Sequence, residues 1–264
     1  MCLEALKDNG LALKYIKNQT TKVCLEAIKE NIEALRYVEN QTEKICLASI
    51  KRNGYMIEYV KNQTPKLCLA AVKNEGWALR DIKNQTLEIC LAAVEQRGLA
   101  LQDVEDKYKT PEICLAAVKQ NGEAIKFVKN KTPEICLTAV KQNGKAIQYI
   151  SKQTHEMCLE AVKNNIDALK FVKNQTPDVC LIAIKQYSYT IQYVKNQTKE
   201  LCLSAVKKNG MALRYVKDQT EEICLAAIKQ NKEAVDCIRD EFKKEYIKEY
   251  IKNKNINKNN EKCI

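Results

Sequence analysis

Cysteine is the residue type in this chain most capable of chemistry, and thirteen are present. Eleven of them, Cys2, Cys24, Cys46, Cys68, Cys90, Cys114, Cys136, Cys158, Cys180, Cys202 and Cys224, recur every 22 residues, with one step of 24. Thiols at regular intervals could bind soft metal ions, relay an oxidation or close disulfides. The spacing argues against all three. No CxxC pair occurs, and one equivalent thiol per repeat leaves neighbours about 9–10 Å apart, beyond the roughly 7 Å between Cα atoms that a disulfide tolerates. The column reads as a small apolar core residue, with no metal or cofactor expected.

The other reactive side chains reduce in the same way. The one histidine, His155, stands where other copies carry proline, so it reads as an exposed residue of a first helical turn. No nucleophile elbow, phosphate-binding glycine loop, zinc spacing or paired-carboxylate signature is present, and no catalytic residue is assigned. A non-enzymatic protein is the expectation. Seven NxT sequons, beginning at Asn18 and Asn40, are read as repeat grammar rather than glycosylation sites.

Charge offers a second chemistry. The formal net charge is +11, and Lys7, Lys29, Lys51, Lys73, Lys119, Lys141, Lys163, Lys185, Lys207 and Lys229 form a column broken only by Glu95. Another column holds Lys17, Lys61, Lys83, Lys129, Lys173, Lys195 and Lys217. Rows of lysine could track an anionic polymer, which makes nucleic acid the alternative partner. Both columns nevertheless sit near expected helix C-termini, where lysine favours the helix dipole.

The elements that position these residues follow from one unit, Thr110 to Lys131, TPEICLAAVKQNGEAIKFVKNK. Thr precedes the repeat cysteine by four residues in ten of the eleven copies, and all four prolines directly follow such a Thr. Thr is a helix N-cap, and Pro suits the next position, where the missing N–H would be unpaired anyway. Acidic residues such as Glu112, Glu134 and Glu222 then face the positive end of the helix dipole. All seven glycines fall eight residues after a repeat cysteine, which predicts a left-handed C′ position ending helix A. Asn in the closing Asn-Gln-Thr is assigned the left-handed exit of helix B.

Ala124, Ile125, Phe127 and Val128 supply the apolar face of helix B. Helices this short are marginal alone, so the unit must be stacked. A period of 22 residues also fits some leucine-rich repeats, but the LxxLxLxxN frame is missing and the punctuation is helical. The expected fold is all-α, an α-solenoid of eleven 22-residue helix-turn-helix repeats over residues 1–240.

TPEICLAAVKQNG followed by AIxxVKNQT resembles an uncharacterised helical repeat, registered as a domain of unknown function, of giant amoebal viruses and intracellular bacteria. The resemblance covers residues 2 to about 238 and carries over no functional residue. It implies an intracellular protein, in host cytoplasm if viral. No apolar run approaches the roughly 18 residues of a membrane span, and no export signal is read at the start.

The ends and irregularities complete the layout. The first copy lacks its Thr cap. A C-terminal capping helix is expected over 241–252, continuing from about Glu233, with Phe242, Tyr246, Ile247, Tyr250 and Ile251 on one face; residues 253–264 read as a disordered Lys/Asn-rich tail. Copy five holds a two-residue insertion in VEDKYKT, and Asp81 and Asp103 replace the usual aromatic in copies four and five.

One column varies while its neighbours repeat: Leu11, Glu33, Tyr55, Trp77, Leu99, Glu123, Lys145, Asp167, Tyr189, Met211 and Glu233. A position outside the shared core can present a different side chain in each copy. Leu11, Tyr55, Trp77, Leu99, Tyr189 and Met211 are therefore the candidate partner-binding residues, and a protein partner is the leading expectation.

Overall fold

A computed structural model describes residues 2–240 and, beyond them, 244, 245, 247–249 and 252. Among the described residues no strand forms, and each of the eleven repeats is an α-helix followed by a 3-10 helix. The α-helices are α1 (Cys2–Asp8), α2 (Thr21–Glu30), α3 (Glu43–Ile50), α4 (Pro65–Asn74), α5 (Leu87–Gln96), α6 (Pro111–Gln120), α7 (Pro133–Gln142), α8 (His155–Asn164), α9 (Pro177–Gln186), α10 (Lys199–Lys208) and α11 (Glu221–Gln230).

The second helix of each repeat is 3-10 rather than α, and length explains this. Its six residues, as in Gly54–Tyr59, rise about 2.0 Å each and cover roughly 12 Å, close to the roughly 15 Å of a ten-residue α-helix. As an α-helix they would reach only about 9 Å and leave the neighbouring row uncovered. Asn53 caps this helix, its Oδ1 accepting from the Tyr55 N–H at 2.9 Å. Val60 then turns extended and buried, ending it.

Thr caps and Pro starts fall as the spacing predicts: Thr64 and Thr110 accept from the N–H groups of Leu67 and Ile113, and α4, α6, α7 and α9 begin at proline. The glycines do not. No described residue has a positive φ, so neither the glycines nor the Asn-Gln-Thr asparagines are left-handed exits. Gly54 instead opens a 3-10 helix, and a Cβ there would lie 2.4 Å from the Ala71 carbonyl oxygen of the next repeat. Glycine is required by close approach, not by backbone handedness.

The chain forms two compact units, Met1–Tyr149 and Ile150–Ile264. In the first, α1 to α7 pack side by side in chain order, and their 3-10 helices pack in series as a second row. In the second unit α8 to α11 repeat this arrangement. Between the rows lie Cys, Ala and Val or Ile from each α-helix and Ala, Leu or Ile and Val from each 3-10 helix; Cys90, Ala93, Val94, Ala100 and Leu101 are all completely buried. Each large aliphatic side chain so buried contributes about 1.5–3 kcal/mol of transfer free energy.

At the C-terminal end no helix runs on from Glu233. Lys232–Cys237 is a 3-10 helix like the others, Ile238 is extended, and the described residues 244, 245, 247–249 and 252 are helical, with Ile247 fully buried. Phe242, Tyr246, Tyr250, Ile251 and 253–264 lie outside the described residues. The insertion adds one 3-10 turn, Asp106–Tyr108, between the fifth and sixth repeats.

Candidate functional site

The surface available for binding is what the repeat does not consume, and the repeat consumes more polar groups than the spacing suggested. Gln63, the middle residue of an Asn-Gln-Thr, donates from Nε2 to the carbonyls of Ile57 in its own repeat and Asp81 in the next, at 3.1 and 2.8 Å. Its Oε1 accepts from the Lys83 N–H at 2.9 Å. Gln19 and Gln41 repeat this bridge in the first unit, as Gln153, Gln175, Gln197 and Gln219 do in the second.

A second amide ladder runs along the α-helix ends. The N–H groups of Gly76, Gly98 and Gly122 donate to Gln96, Gln120 and Gln142 of the following repeats, at 2.8, 2.6 and 2.6 Å. Where the glycine is replaced by Ile32 or Ser188, the facing residue is Arg52 or Lys208, whose cation instead reaches carbonyls at the end of the preceding α-helix. The signal was present as Asn or Gln six residues after most repeat cysteines.

Lysine divides into two groups. Lys61 and Lys195 place Nζ on the carbonyls of Val38 and Glu39, and of Val172 and Lys173, at 3.0–3.1 Å. Lys173 and Lys217 reach Ser151 and Lys195 in the same manner. These amines are occupied as C-terminal caps between repeats. The other column lies at the last turns of the α-helices, exposed, with Lys29 and Lys163 paired to Glu26 and Glu160 three residues earlier.

From Cys24 onward the cysteine column carries no exposed thiol. Cys24 through Cys224 are free and buried, and Cys237 is half-buried. Burial pushes the thiols of Cys24 through Cys202 upward, Cys90 and Cys180 to about 11, so these two remain protonated near neutrality. His155 is exposed, and its Nε2 lies 2.9 Å from Asp178 Oδ2 on the next α-helix. Among the described residues no group of three or more His, Cys, Asp or Glu is arranged to hold a metal ion.

The variable column is the second residue of each 3-10 helix, on the face opposite the core. In the first unit Leu11, Tyr55, Trp77 and Leu99 are half-buried. The guanidinium of Arg80 lies 5.6 Å from the Tyr55 ring centre, and that of Arg97 lies 5.8 Å from the Trp77 ring. Arg97 also pairs with Glu75 at 3.3 Å. Each of these aromatics is thus partly covered by a cation from the following repeat.

In the second unit Met211 is likewise half-buried, but Tyr189 is exposed. Tyr189 is 42% exposed and Tyr187, two residues earlier, 53% exposed, with ring centres 5.6 Å apart. Tyr189 and Met211, from successive repeats, line one groove of about 270 Å³ with Asn209, Arg214 and Tyr215. Tyr187 was not a candidate from the spacing, because its position is the 3-10 N-cap, held by Asn in most copies.

Comparison with known proteins agrees with the repeat and adds no activity. The sequence model of one family, described as Domain of unknown function (DUF4116), matches residues 86–131, 132–176 and 198–243, each match spanning two repeats. No curated protein and no solved structure matches the chain. With more than half of its length matched in this tandem pattern, the chain belongs to the DUF4116 family.

Proposed function

We propose that this protein is a non-enzymatic scaffold that binds a protein partner through the varying residues of its 3-10 row. The observation that carries the reading is the groove of the second unit, where Tyr189 and Met211 meet beside exposed Tyr187. Rigid aromatics offer large contact area at small conformational cost, and they dominate the energetics of protein interfaces. Tyr55, Trp77 and Leu99 form a second, more covered segment of the same column. In a viral setting the partner is a host or viral protein inside the host cell.

A pull-down with the full chain tests this. Tyr189→Ala with Met211→Ala is compared with Tyr55→Ala with Trp77→Ala, all four lying outside the shared core. A partner lost with either pair supports the reading. One retained by the chain carrying all four substitutions overturns it.

A further inference from the structure

We propose that the furrow between α5 and α6 is a docking groove for a basic amphipathic helical segment of a partner protein. Two adjoining cavities of about 520 and 450 Å³ share Leu91 and Glu112 and together run along both helices. Leu87, Leu91 and Leu115 form the floor, and Glu88, Glu95 and Glu112 the rim. At about 1.5 Å per residue, α5 gives the groove a length of roughly 15 Å, which about three turns of a partner helix would fill.

The charge pattern selects the occupant. In α8 and α10 the first residue is a basic side chain that crosses to the second residue of the next α-helix, His155 to Asp178 and Lys199 to Glu222. At the equivalent place α5 has Leu87, 52% exposed, so Glu112 lacks that cation. Farther along, Glu95 is the single break in the lysine column. One cation of the lysine column is therefore replaced by Glu95 in this furrow, an exposed Leu87 stands where α10 has Lys199, and none of the three carboxylates makes an ion pair with a described residue. Lys119 is the one cation lining the groove, at the end near Glu95.

On a chain of net charge +11 this sign reversal is local. A basic partner is repelled elsewhere and steered here, while exposed Leu87 and half-buried Leu91 and Leu115 supply the apolar contact.

The probe is a synthetic helical peptide with leucines on one face flanked by lysines, measured by fluorescence anisotropy against the full chain. A control peptide carries glutamates in place of the lysines. Leu87→Lys with Glu95→Lys restores residues that other repeats hold at these positions, so the variant is expected to fold, as circular dichroism will check. The proposal expects the lysine peptide to bind the unmodified chain and the double variant to weaken it by about tenfold or more. Glu95→Gln with Glu112→Gln gives a second, gentler variant with the same expected direction. Absence of binding, equal binding of the glutamate peptide, or affinity unchanged in both variants overturns the proposal. The 3-10-row substitutions should leave this affinity unchanged, which separates it from the scaffold reading.

Discussion

Gln63 donates a hydrogen bond to the carbonyl of Asp81 at 2.8 Å across the boundary between two repeats, and the same side chain accepts from the backbone two residues further on. One carboxamide thus bonds three backbone groups, the Asp81 carbonyl, the Lys83 N–H and the Ile57 carbonyl, the last of which also accepts from the Val60 N–H. Replacing it by Leu keeps most of the volume and removes all three bonds. Gln63→Leu should lower unfolding stability by about 2 kcal/mol or more in urea titration, whereas exposed Asn62→Ala should cost well under about 1 kcal/mol.

The glycine seam gives a steric prediction. A Cβ on Gly98 would lie 2.3 Å from the Ala117 carbonyl oxygen, which the α6 backbone cannot yield without moving. Gly98→Ala should destabilise by about 1–3 kcal/mol, although alanine ordinarily favours helix over glycine. Thermal melting reads the sign directly, and a stabilised variant would refute the contact.

Thiol labelling reports on the core. Since burial denies access and, from Cys24 to Cys202, raises the pKa, Cys24 to Cys224 should resist a thiol-specific alkylating reagent at neutral pH in the folded chain, while half-buried Cys237 reacts. Mass spectrometry after labelling should find all thirteen modified once the chain is unfolded. Fast native labelling of the central column would show that the repeats open.

Asp81 gives a pH dependence. Burial raises its carboxyl above the ordinary range, Arg80 opposes this, and Glu58 and Asp103 add to it. A carboxyl whose folded pKa is raised binds its proton more tightly in the native chain, so it costs stability increasingly as pH rises from the ordinary carboxylate range through the folded pKa. Asp81→Asn should therefore raise Tm at pH 7, and the gain should vanish on acidification below about pH 4. Melting curves across that interval check the direction.

Trp77 is the single tryptophan and therefore a built-in probe. Arg97→Ala removes the guanidinium over its ring and frees Glu75 from its ion pair. Indole emission should shift to longer wavelength with only a small change in stability, because the pair is partly exposed.

Much of the architecture was legible because its signals are local. Thr64, Pro65 and the acidic first turns act within one helix, and their chemistry does not depend on what packs against them. The glycines were located correctly and explained wrongly: a glycine after a helix suits a left-handed cap, and the carbonyl that forbids a side chain on Gly54 belongs to Ala71, seventeen residues later. The 3-10 form of the second helix was hidden for a similar reason, since the length it must span is set by the neighbouring α-helix. The roles of Gln63 and Gln96 are not legible in one repeat because their partners lie one repeat away. Tyr189 and Met211 were visible as variation, but their meeting in one groove depends on how successive 3-10 helices stack.

The two amide ladders also bear on how such a chain can change length. Most bonds in them join a unit to its successor through a carboxamide and equivalent backbone groups, so a duplicated unit finds a complementary edge on both sides. Addition or loss of a 22-residue segment leaves these seams chemically unaltered, and each added copy brings one side chain the seams do not specify. A repertoire of recognition surfaces can therefore be enlarged by copying, with the new position free to diverge from the first generation onward.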